Sequence, residues 1–106
     1  MVKIEQSNLI DLKIAKVIAT KAASLEMKNF IVDESKILDE YYLEAEHCWI
    51  FFKHPAIVIP KNVLCFRTFA VSDRGGCRLV YDLRDEPEKM QKHLSDLSDY
   101  FKEKGE

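Results

Sequence analysis

The sequence predicts an α+β domain, with a helix near each end and an antiparallel sheet of about four strands between them. Three observations carry this. Apolar residues recur at helical spacing through the first quarter of the chain. A turn, Asp73-Arg74-Gly75-Gly76, separates two runs of strand-forming residues. Asp85-Glu86-Pro87-Glu88 then reads as a helix start ahead of a second apolar stripe.

From Ser7 as N-cap, Ile10, Ile14, Val17, Ile18, Ala22 and Leu25 follow the helical period, with Asp11, Lys13, Lys16 and Lys21 on the other side. The spacing predicts an amphipathic helix of about 17 residues, closed by Met27-Lys28-Asn29. Phe30-Ile31-Val32 has strand preference, and Ile37-Leu38 reads as an edge strand or a loop plug. Tyr41 to about Lys53 holds the only Trp and the densest aromatics, and reads as one central strand. Its period of two puts Tyr41, Leu43, Ala45, Trp49 and Phe51 on one face and Tyr42, Glu44, Glu46, Cys48, Ile50 and Phe52 on the other. Trp49, Phe51, Phe69 and Phe101 are the expected core anchors.

His54-Pro55 ends that strand, because proline lacks a ladder donor. Ala56 to Ile59, bracketed by Pro55 and Pro60, suits an edge strand or an extended covering segment. Leu64 to Ser72 and Cys77 to Leu83 then form an antiparallel pair across the glycine turn. Asp85 is the expected cap of the last helix, with Glu88 returning the bond and Pro87 in the first turn. Met90, Leu94, Leu97 and Phe101 mark the stripe that packs on the sheet, and residues 102–106 are expected to fray.

At 106 residues and 47% hydrophobic content, one core and one domain spanning 1–106 are expected. No apolar run approaches the roughly 20 residues that span a bilayer, and Met1 to Gln6 does not resemble a secretion signal. Cys48, Cys65 and Cys77 are odd in number and sit in apolar segments, which fits reduced thiols in a cytoplasm. The net charge of −2 hides an asymmetry: residues 33–46 carry six acids against Lys36, a local −5, leaving +3 for the rest. Such a stretch repels nucleic acid and attracts basic partners, or is a solvated face.

The chemistry-bearing residues point to no metal, cofactor or active site. His47, His54 and His93 show no ligand spacing with the cysteines, and Gly75-Gly76 lies in a hairpin rather than before a helix. A small hydrolase using His47 and His93 as base and acid remains an alternative, as does a regulatory or self-associating module. The aromatic strand is acidic, which disfavours RNA. The residues alone reach a fold class but no function.

A functional expectation comes from a resemblance. Glu46-His47-Cys48-Trp49-Ile50-Phe51-Phe52, followed by Ala70-Val71-Ser72-Asp73-Arg74-Gly75-Gly76 and the C-terminal helix, resembles the small bacterial immunity proteins of polymorphic or contact-dependent toxin systems. The likeness covers roughly residues 40 to 101, and Cys48 stands where those proteins usually have Gly before the Trp. It implies a non-enzymatic cytoplasmic inhibitor without cofactor that blocks a basic toxin domain, a nuclease among the candidates, and binds neither nucleic acid nor membrane. On that reading the contacts are Asp33, Glu34, Asp39, Glu40, Glu44 and Glu46, with Tyr42 as aromatic anchor. A toxin strand added to the sheet edge is a second possible mode.

Overall fold

A computed structural model of the chain describes residues 9–106. Its elements are α1 (Leu12–Glu26), β1 (Leu38–Glu44), β2 (Cys48–Lys53), β3 (Thr68–Ser72), β4 (Cys77–Val80) and α2 (Pro87–Lys104). The strands form an antiparallel meander in the order β1-β2-β3-β4. The α+β class is therefore as the sequence predicts, with helices on opposite faces of one sheet.

Two apolar cores result. Ala15, Ala19 and Ala23 of α1 and its C-cap Met27 pack with Phe51, Phe69, Val71, Ile37 and Ile57 on one face. Met90, Leu94 and Phe101 of α2 pack with Cys48, Ile50, Phe52, Ala70 and Val80 on the other. This double cover explains why every residue of β3 is buried, and why the end of β2 is apolar on both sides. Phe51, Phe69 and Phe101 are the anchors expected of them; Phe52 is buried as deeply, whereas Trp49 is only half-buried.

The buried face of α1 differs from the expected stripe. Ile18 and Ala22 flank the core, but Ile14, Val17 and Leu25 are 47, 52 and 78% exposed. The helix instead turns its three alanines, spaced four apart, toward Phe51 and Phe69. Small side chains let the helix axis approach a sheet whose own side chains are large, and the pair fills space together. Asp11 caps α1 by accepting from the Ile14 amide at 2.9 Å; Ser7, the expected cap, lies outside the described residues.

The largest correction concerns the expected central strand. Residues 41–53 are a hairpin, because Ala45-Glu46-His47 turns the chain between β1 and β2. Its register pairs Tyr42 with Phe51 and Leu43 with Ile50, so Tyr42 joins the α1 face and Leu43 the α2 face. That reverses the facing expected of a continuous strand, because the turn changes the parity of the alternation. A further irregularity separates the Leu38 and Tyr42 pairings, where four steps along β1 match two along β2.

Other differences are smaller. Phe30-Ile31-Val32 is turn and loop, and Ala56 to Ile59 is a covering segment with Ile57 in the core. Lys53 Nζ ties that segment down by donating to the Ile57 carbonyl at 2.7 Å. The β3–β4 ladder is shorter than expected at both ends away from the turn, stopping at Thr68 and Val80. Gly75 takes φ +92°, the conformation for which the turn needs glycine. The capping box of α2 does not form: Pro87 occupies the first helical position, which makes Glu86 the N-cap and leaves Asp85 one residue too early. The C-terminal residues do not fray. Gly105 closes α2 at φ +70°, and Glu106 is held by Ser72 Oγ, which donates to its carbonyl at 2.6 Å, and by the Arg78 guanidinium at 2.8 Å.

Candidate functional site

The seven expected contact residues fall in three places. Asp33 and Glu34 lie exposed in the α1–β1 loop, Asp39, Glu40, Tyr42 and Glu44 lie on β1, and Glu46 sits in the β1–β2 turn. β1 is an edge strand, so its acids border an open side of the sheet.

These residues are not equally free. Asp33 accepts from the Ser35 hydroxyl at 2.6 Å and the Ser35 amide at 2.9 Å, and those bonds hold its carboxyl below the usual range. Asp39 accepts from the Tyr41 amide at 3.2 Å and lies 4.0 Å from Arg84. Tyr42 packs its ring 5.8 Å from that of Phe51, under Lys16, and belongs largely to the α1-side core. Its neighbour Tyr41 is the more exposed aromatic, at 53%, and stacks on Phe52. Tyr41 escaped the sequence reading because the parity change at the turn was not visible there. Among the described residues, Glu34, Glu40 and Glu44 form no ion pair.

The acids that do converge are at the turn. Glu44, Glu46 and Asp99 of α2 line one hollow of about 300 Å³ together with Ser95 and Gln91. Asp99 was not among the expected residues, since it is distant in sequence and lies on the outer side of its own helix pattern. Three carboxylates sharing a hollow that no cation lines are suited to accept a lysine or arginine side chain.

The turn is rigid for reasons remote in sequence. The His47 amide donates to Ser98 Oγ of α2 at 3.0 Å, and the His47 carbonyl accepts from the Asp73 amide at 2.9 Å. His47 Nδ1 lies 3.1 Å from Asp73 Oδ2, while Nε2 is buried 3.3 Å from Glu46 Oε1 but out of hydrogen-bonding alignment. Ser98 is itself buried. Ser98→Ala leaves the His47 amide without its partner and is expected to lower stability by about 1–3 kcal/mol. Urea denaturation measures this, and an unchanged midpoint would show that the bond does not hold the turn.

Nucleophilic chemistry finds little support in the arrangement. Burial, with Asp73 adding to it, pushes the Cys48 thiol up to about 12, and burial also raises Cys65 and Cys77. A protonated buried thiol is a poor nucleophile. Among the described residues no three His, Cys, Asp or Glu side chains converge as a metal site, and no helix is long and apolar enough to cross a membrane. No protein-family model matches the chain, and neither a curated protein nor a solved structure matches it with significance.

Proposed function

We propose that the chain is an immunity-type protein: a non-enzymatic cytoplasmic inhibitor that binds a cognate toxin and blocks it. The observation that carries this is the exposed acid set Glu40, Glu44 and Glu46 along an open edge strand and its rigid turn, where Glu44 and Glu46 meet Asp99 in one hollow. A toxin that acts on nucleic acid presents a basic cleft, and an acidic partner both speeds encounter and covers that cleft. Preorganisation by Ser98 and Asp73 reduces the ordering cost of binding. Tyr41, stacked on Phe52 beside these acids, is the rigid aromatic such an interface favours.

The non-enzymatic part of the reading rests on the histidines. His47 is clamped at both its backbone and its ring, and His93 Nε2 is buried without a hydrogen-bond partner. The test is co-expression with the product of the neighbouring upstream reading frame, scored by growth and by pull-down. Rescue of growth with a stable complex is the expected result. The triple reversal Glu40→Lys, Glu44→Lys, Glu46→Lys is then expected to weaken the complex by about 100-fold or more, with a steep loss of association rate at low salt. Full affinity in the triple variant would remove the acidic edge from the interface, and no toxicity and no complex for any neighbour would sink the proposal.

A further inference from the structure

We infer that the cleft at the opposite end of β3 and β4 is a binding site for a small amphipathic carboxylate, an apolar chain or ring ending in a carboxylate group. This inference goes beyond the toxin-binding reading and stands or falls separately from it.

The cleft exists because a sheet ladder stops early. Leu64 to Arg67 and Tyr81 to Leu83 have strand-forming residues, yet pairing ends at Thr68 opposite Val80. Among the described residues no backbone hydrogen bond joins 64–67 to 81–83. The diverging segments enclose about 660 Å³, a volume ordinary for small-molecule sites. Leu64 is fully exposed at its rim, and Tyr81, mostly exposed, leans its ring 5.5 Å from that of Phe66. The wall between is largely apolar, with Val63, Val80 and Leu83.

Charge selects the ligand. Four ionic side chains line the cleft, two of each sign, but both acids are already engaged. Glu26 accepts from the Phe66 amide at 2.8 Å, and Asp82 is gripped by the Arg84 guanidinium at 2.8 Å. The two cations are not: among the described residues neither Lys61 nor Arg67 has a carboxylate within ion-pairing distance, and Arg67 donates only to the Cys65 carbonyl. An apolar slot with two unpaired cations matches an apolar body carrying one carboxylate. It disfavours a neutral amphiphile of the same size, and, because Lys61 and Arg67 outnumber Glu26, the one lining carboxylate without a cation partner, a cationic one as well.

The test titrates decanoate, decanol and decyltrimethylammonium into the ¹⁵N-labelled chain. Decanoate is expected to give saturable amide shifts confined to 61–68 and 80–83, and to bind about tenfold more tightly than decanol, as one charge-assisted hydrogen bond requires. Lys61→Gln, an exposed substitution that leaves the fold intact, and Lys61→Gln with Arg67→Gln should remove that preference stepwise while leaving decanol binding unchanged. Leu64→Asp, also exposed, should abolish binding of all apolar probes. Equal affinity for the three amphiphiles, shifts elsewhere in the chain, or no saturable shift would each overturn the assignment. So would tighter binding of an acidic peptide in extended form, which would make the cleft a peptide site instead.

Discussion

Ala19→Asp is expected to unfold a large fraction of the protein, while Val17→Asp, two residues earlier on the same helix, leaves stability within about 0.5 kcal/mol. Both sites are helical, and helix propensity separates the two substitutions by no more than about 0.7 kcal/mol, the advantage of Ala over Val. Burial separates them further. Ala19 has no exposed surface and sits between Ala15 and Ala23 against Phe51 and Phe69, with no cation in that core to pair a new carboxylate. An unpaired charge there, or the proton uptake that neutralises it, costs about 4 kcal/mol or more, close to the total stability of many small domains. Val17 already faces solvent over half its surface. Urea denaturation followed by helical circular dichroism distinguishes the two. Similar losses at both positions would mean that the branched residues, and not the alanines, form the buried face of α1.

Phe51→Ala and Phe52→Ala are each expected to cost about 3–5 kcal/mol, and to loosen different helices. Adjacent on β2, both side chains are buried, yet they point to opposite faces. Phe51 belongs to the core under α1 and touches the Tyr42 ring. Phe52 belongs to the core under α2, where Tyr41 stacks on it at 5.5 Å and the Arg84 guanidinium lies 4.3 Å from its centroid. Native-state hydrogen exchange should therefore show α1 amides opening more readily in Phe51→Ala and α2 amides in Phe52→Ala. If both variants exposed the same helix first, the sheet would not be the partition between two cores. Phe52→Ala also removes the support beneath Tyr41, so on the proposed immunity function it should weaken partner binding in whatever fraction remains folded.

The features legible in the sequence are those whose cause is local. The Asp73-Arg74-Gly75-Gly76 turn announced itself because a positive φ demands glycine, and Gly75 takes one. The stripe Met90, Leu94, Leu97 and Phe101 was readable because α2 buries large residues at helical period, and Pro87 marked its first turn. The acidity of residues 33–46 needed only counting. The β1–β2 turn gave no such signal. Ala45, Glu46 and His47 include neither glycine, asparagine nor proline, and none takes a positive φ.

The sequence by itself thus determined the class of fold, the glycine hairpin and the position of the C-terminal helix, because backbone preference and side-chain period act over a few residues. Tertiary structure decided the rest. Ser98 and Asp73 hold the His47 turn from 51 and 26 residues away, and that turn split one expected strand into two. The split set which of Tyr41 and Tyr42 faces solvent, and brought Asp99 beside Glu44 and Glu46. The choice of alanines over larger residues on α1 likewise belongs to packing, since only the volume of Phe51 and Phe69 opposite makes a small face the better fit.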